Sequence, residues 1–174
     1  MLRLDNGPHK ISLTMSRPLS QWDEDYILSL PKENNEFDRK GSKLLDLTLD
    51  GVKEGHVLDE LAKQLSAFAN MRGGKIIYGL TNDGTVDNGG VSTQIKEGGT
   101  KEWLERQVAV LTDYEILGVG VREFVPESPN SQIQQGKALY LIDVPDSDRA
   151  PHQSRRDHKY YVRLNSQSQP ALTE

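Results

Sequence analysis

Ser66-Ala67-Phe68-Ala69-Asn70-Met71-Arg72-Gly73-Gly74-Lys75-Ile76-Ile77-Tyr78-Gly79-Leu80 is the stretch on which the fold turns. Its first residues close a run from about Val57 to Asn70 in which Val57 or Leu58, Leu61, Leu65 and Phe68 recur every three to four positions, with Asp59, Glu60, Lys63 and Gln64 opposite. That spacing predicts an amphipathic helix. Gly73 and Gly74 end it, because glycine takes the positive φ of a left-handed cap and lets the backbone pass close to a neighbour. Lys75 to Leu80 then reads as a short strand, and Asn82-Asp83-Gly84 as the turn that closes it.

Upstream, Ser20 with Asp23 three positions on has the form of a capping box, which predicts a helix over about Gln21–Leu30, stopped by Pro31. From Glu36 the chain turns charged. Leu44, Leu45, Leu47 and Leu49 suggest a buried extended segment, with Gly51 and Gly55 bracketing a turn. Downstream, the glycine-rich stretch from Asp87 to Gly99 reads as a mobile loop rather than a phosphate cradle. Thr100 can cap a second helix to about Leu111, with Trp103, Leu104, Val108 and Leu111 inward. Strands are expected over Tyr114–Val125 and Lys137–Val144, around an exposed hairpin loop, and over Lys159–Leu164. The fold class is therefore α+β, a small mixed sheet packed with two to three helices. One domain is expected over residues 1–174, with its core at about 20–166, an irregular or edge-strand arm over 1–19 and a polar tail over 167–174.

Composition narrows the function classes. The 174 residues are enough for one sizeable core. A net charge of −5, from 26 acidic and 21 basic residues, argues against coating nucleic acid by bulk electrostatics but leaves room for a local basic groove. The absence of cysteine removes disulfides, thiolate metal sites and thiol nucleophiles. No run of about 18 apolar residues is present to span a membrane, and Met1–Ser20 has no apolar core of a secretory signal, so the expected compartment is the cytoplasm. Gly73-Gly74-Lys75 lacks the spacing of a phosphate-binding Walker loop, and no nucleophile-elbow pattern occurs.

Three separated stretches share one family pattern. Ser66 to Asn70 with Gly73-Gly74 and the strand to Leu80 resembles the AlbA-like domain of the Schlafen family. Glu33-Asn34-Asn35-Glu36-Phe37-Asp38-Arg39-Lys40 resembles that family's acidic motif, and Pro151-His152 followed by Tyr160 to Ser166 resembles its closing strand. The resemblance implies a metal-dependent endoribonuclease acting on structured RNA such as tRNA. It also implies two acids five apart, a lysine two beyond the second, and a third acid just after the Gly-Gly strand. Placing the pair on Glu33 and Asp38 with Lys40 recovers three positions. Placing Glu36-Phe37 in the family's Glu-Phe leaves Pro31 in the upstream slot, so the first placement is preferred. The third slot falls on Asn82, with Asp83 adjacent. Glu33, Asp38 and Asp83 are thus the candidate ligands for Mg²⁺ or Mn²⁺, and with Lys40 they form the candidate catalytic set. Read without the family, the same residues are an ordinary solvated acidic turn.

The basic and aromatic residues after Pro151 are the other candidate site. Arg155, Arg156 and Lys159, flanked by His152 and His158, are suited to phosphates, and Tyr160 or Tyr161 to an unpaired base, though successive strand side chains point to opposite faces. Arg72 and Arg163 complete the candidate nucleic-acid contacts, with Lys43 in reserve. His56 with Asp59 or Glu60 has metal-ligand spacing but equally suits a helix start. The rival readings are a DNA- or RNA-binding module of a regulator without catalysis, and a protein-interaction domain favoured by the acidic charge. Animal Schlafen cores pair two such lobes, so the resemblance implies a homodimer for a one-lobe chain.

Overall fold

The structure, a computed structural model, describes residues 17–31 and 33–172. The arm expected over residues 1–19 falls almost wholly outside the described residues. Three helices, α1 (Glu24–Ser29), α2 (Glu54–Ala69) and α3 (Thr100–Val108), accompany β1 (Phe37–Lys40), β2 (Gly74–Tyr78), β3 (Val91–Ser92), β4 (Thr112–Asp113), β5 (Gly120–Phe124), β6 (Lys137–Val144), β7 (Gln153–Ser154), β8 (Tyr161–Leu164) and β9 (Gln167–Pro170). The main sheet runs β1-β2-β6-β3, with β5 on the other edge of β6. Only β1 and β2 are parallel among these pairs, and α2 is their crossover. The sheet is mixed, and the fold is α+β.

Alternation along the strands divides the core in two. Ile76 and Tyr78 of β2, with Tyr140 and Ile142 of β6, meet Leu61, Leu65 and Phe68 of α2 and Trp103 and Leu104 of α3. Ile77, Leu139 and Leu141 point the other way, onto Trp22, Tyr26 and Ile27 around α1. The predicted inward residues of the two amphipathic helices, Val57, Leu61, Leu65, Phe68, Trp103, Leu104, Val108 and Leu111, are all buried. Close packing explains the glycine pair: a Cβ on Gly73, at φ +78°, would stand 2.4 Å from the Val144 carbonyl oxygen, and one on Gly74 2.4 Å from the Phe68 ring.

Several local expectations are corrected. Asp23, not Ser20, caps the first helix: its carboxylate accepts from the Tyr26 N–H at 2.8 Å, and Leu19–Gln21 forms a separate 3-10 turn. The leucines after Gly41 lie in a 3-10 turn, Ser42–Leu44, and the turns that follow, because buried Asp46 draws the chain round by accepting from Thr48 and from the Ser92 N–H. The Asp87–Gly99 stretch is not loose. Ser42 donates through its N–H to Asp87 and through its hydroxyl to the carbonyls of Asp87 and Gly90, and β3 pairs with β6. Thr100 is the first residue of α3 rather than its cap; its hydroxyl donates to Ser92 O and accepts from Ile95 N–H. The expected strand over Tyr114–Val125 is confined to Gly120–Phe124, while Thr112–Asp113 pairs with β7 instead. The tail from Asn165 turns back as β9 onto β8, since Asn165 and Ser166 both take positive φ, the requirement of a tight hairpin turn.

Candidate functional site

Ser66 and Asn70, one helical turn apart on α2, secure the end of the chain against the helix. Ser66 Oγ donates to His152 O at 2.8 Å and accepts from Tyr161 N–H at 3.0 Å. Asn70 Nδ2 donates to the carbonyls of His152 and Tyr161, and its Oδ1 accepts from His152 N–H at 2.7 Å. These side chains of the central motif are therefore architectural. They bring β8, and with it Arg163, over the helix.

Arg163 is 1% exposed and lies over the Phe68 ring, with its Cζ 4.6 Å from the centroid. Its Nη1 donates to Asp38 Oδ2 at 3.3 Å and its Nη2 to Asn34 O at 2.9 Å. Burial pulls the guanidinium below its ordinary pKa, and the adjacent Asp38 and Glu33 carboxyls pull it back up.

On β1, Phe37 belongs to the core around α1, and Arg39 shares its side of the strand. Arg39 Nη2 donates to the carbonyls of Leu30 and Pro31, each at 2.8 Å, and Nη1 to Asn82 O at 3.4 Å. Asp38 and Lys40 take the α2 side, with Lys40 Nζ 3.0 Å from Asp38 Oδ2. Glu33 reaches in from the preceding segment and accepts from the Arg39 N–H at 3.1 Å through Oε1. Burial raises the Glu33 pKa above its ordinary value, and the adjacent Asp38, by charge and by hydrogen bond, raises it further; the Arg39 N–H and Lys40 oppose. Glu33, Asp38 and Lys40 line a cleft of about 300 Å³ with Glu60, Lys63 and Gln64 of α2, Arg163, and Ser166 to Ser168 of the β8–β9 hairpin.

Asp83 does not line this cleft. Its turn is held on the α1 side of β1, where Asn82 O accepts from Arg39 and Gly84 packs on the same guanidinium. The third carboxylate lining the cleft is Glu60, which the helical pattern had put on the polar face of α2 without marking it as functional. Among the described residues no three Asp, Glu or His side chains gather closely enough to hold a metal ion by themselves. The Glu33–Asp38 pair fits a narrower role. Mg²⁺ is commonly held by one or two carboxylates and completes its shell with water and substrate phosphate.

The candidate nucleic-acid residues divide. His152 is 0% exposed; its Nδ1 lies 2.8 Å from Tyr114 O and its Nε2 2.7 Å from Ser147 Oγ. A carbonyl only accepts, so Nδ1 carries a proton directed at Tyr114 O. Buried Tyr161 donates to Asp157 Oδ2 at 2.5 Å, and burial with that acceptor pushes its phenol up to about 12. Tyr160 is half-buried, and Arg155, His158 and Lys159 are exposed. Arg156 Nε donates to Asp59 Oδ1 at 2.7 Å. Arg72, at φ +72°, is exposed and lines a separate cleft of about 670 Å³ that Arg163 also borders.

A family model described as Schlafen, AlbA_2 matches residues 32–172. No curated protein matches the chain. Among solved structures, the DIP2311 protein from Corynebacterium diphtheriae is similar at 17% identity and a TM-score of 0.55, over 84% of this chain and 25% of that one. The N-terminal domain of a RecG-related protein from Nitrosomonas europaea is similar at 16% identity and a TM-score of 0.47, over 87% of this chain and 92% of that one. The chain thus spans a quarter of the length of the DIP2311 chain. At such identity the likeness to DIP2311 bears on the fold alone.

Proposed function

The chain belongs to the Schlafen AlbA_2 family, and from that premise we propose that it is a metal-dependent endoribonuclease domain acting on structured RNA, such as tRNA, at the Glu33–Asp38–Lys40 cleft. The observation that carries this reading is the carboxyl pair. Glu33 stands close enough to Asp38 for the Asp38 carboxylate to disfavour its ionisation, beside a lysine, in an open cleft. A folded protein gains nothing from crowding like charges, so such a pair is suited to a cation or a proton transfer. Glu33 and Asp38 would hold Mg²⁺ or Mn²⁺ together with a substrate phosphate, and the ion, when bound, supplies Lewis-acid activation of water and neutralisation of phosphate charge. Lys40 would meet developing negative charge on the phosphate, and the ion pair with Arg163 holds the Asp38 carboxylate.

A second reading, nucleic-acid binding without cleavage, is favoured by Asp83 lying off the cleft and by the two cations already engaging Asp38. Incubating structured RNA, single-stranded RNA and DNA with the protein in Mn²⁺, with and without EDTA, and following both gel mobility and product separates the two. Metal-dependent cleavage that vanishes in Glu33→Gln supports the first, and retarded but intact RNA in Mn²⁺ supports the second. A two-fold pair of chains would set two such clefts around one RNA. Light scattering with and without RNA tests that assembly, and a strictly monomeric mass in both conditions removes it.

A further inference from the structure

Lys43, Lys53 and His56 line a third cleft, of about 460 Å³, together with Asp50, Gly51 and Val52. Its cations outnumber its one acid, and neither lysine forms a salt bridge among the described residues, although the chain as a whole is acidic. Lys43, Lys53 and His56 are exposed, half-buried Val52 supplies an apolar wall, and Gly51 leaves open space.

The position of this cleft matters more than its charge. Lys43 lies three residues beyond Lys40, in the 3-10 turn that packs on α2, and His56 lies four residues before Glu60 on α2 itself. His56 of the basic cleft and Glu60 of the acidic one therefore share a face of α2. Four residues of helix are a little more than one turn and rise roughly 6 Å, so the two clefts are neighbours along α2. Resting on the reading that the acidic cleft takes the phosphate to be cut, we propose that the Lys43–Lys53–His56 cleft binds a neighbouring backbone phosphate of the same RNA strand. The strand then lies along the seam between the β1 segment and α2. Asp50 faces the same phosphate and opposes it, so the two lysines carry the site.

The test uses the full chain and a single-stranded RNA oligonucleotide, with affinity measured across a salt series in EDTA and cleavage measured in Mn²⁺. Lys43→Ala/Lys53→Ala is expected to flatten the slope of log K against log salt by about 0.7 for each phosphate no longer neutralised. It is also expected to raise KM while leaving kcat near wild type, with Lys43→Arg/Lys53→Arg restoring both. A double-alanine variant with the wild-type salt slope and KM overturns the inference and leaves the cleavage reading intact. Wild-type protein that neither binds nor cuts the oligonucleotide or structured RNA overturns both.

Discussion

Asp38 and Arg163, 125 positions apart in the chain, meet through a 3.3 Å bond between Oδ2 and Nη1, both side chains almost wholly out of solvent. The acid expected to serve chemistry thus also neutralises the arginine on the strand that closes over α2. Removing it touches both the cleft and the fold.

Asp38→Ala should accordingly lower unfolding stability by about 3–5 kcal/mol, because it strands a buried guanidinium. Asp38→Asn, which keeps an oxygen acceptor, should lose less. Urea unfolding measures both. Treating Asp38 as a surface residue whose removal spares the fold is the natural reading of an acidic turn, and the structure reverses it. Glu33→Gln is the cleaner probe of activity, since its amide oxygen can still accept from the Arg39 N–H.

Glu33 also sets a pH dependence. Its folded-state pKa is raised, so between its ordinary value and the raised one the folded state binds more proton than the unfolded state, and stability falls as pH rises through that window. Acidification from neutral pH toward the ordinary value of 4.5 should relieve the strain at this group. Glu33→Gln should remove that component, which unfolding titrations of variant and wild type, taken as a difference, will read. Metal-dependent cleavage should run the opposite way and rise with pH as Glu33 ionises. A cleavage profile flat across that window would dissociate Glu33 from the metal.

The third carboxylate offers a direct contrast. Glu60→Gln should weaken cleavage and raise the Mn²⁺ concentration needed for half-maximal rate, while Asp83→Ala and Asn82→Ala should leave both near wild type, because that turn hangs from Arg39 on the far side of β1. A damaging Asp83→Ala in a verified fold would require the turn to swing across the strand.

These contrasts show what the sequence makes legible. The helix–Gly-Gly–strand unit was readable because its signals are local: a 3.6-residue apolar stripe, glycines where a Cβ would strike Val144 O or Phe68, and a short strand. Glu33, Asp38 and Lys40 fall together because strand alternation puts Asp38 and Lys40 on one face. What was not legible depends on partners distant in sequence. Whether Asp83 or Glu60 joins the pair is decided by the register of β1 beside β2 and by the height of α2 above β1. His152 and Arg163 look like phosphate ligands in sequence, yet Ser147, Tyr114 and Asp38 draw them inside. The 167–174 tail reads in sequence only as polar, and the pairing of Gln167–Pro170 comes from the Asn165-Ser166 turn rather than from any apolar pattern.

Arg155 and Arg156 are neighbours in sequence with different expected effects on RNA. Arg155 is exposed, and no salt bridge engages it among the described residues, so Arg155→Ala should leave one phosphate without its cation and lower the salt slope by about 0.7 on single-stranded RNA. Arg156 is already committed, with Nε on Asp59 Oδ1 at 2.7 Å and Nη2 near Gly55 O at 3.4 Å. Deleting it should cost affinity mainly by uncovering the Asp59 carboxylate beside α2, whose repulsion acts on the RNA from a distance and leaves every phosphate with the cation it had. Arg156→Ala should therefore bind more weakly, most of all at low salt where the exposed Asp59 charge is least screened, and Arg156→Ala/Asp59→Asn should recover most of the affinity. Measurements in EDTA across a salt series decide it. If Arg156→Ala flattens the slope as much as Arg155→Ala and the second substitution rescues nothing, Arg156 reaches the RNA itself and the ion pair with Asp59 opens on binding.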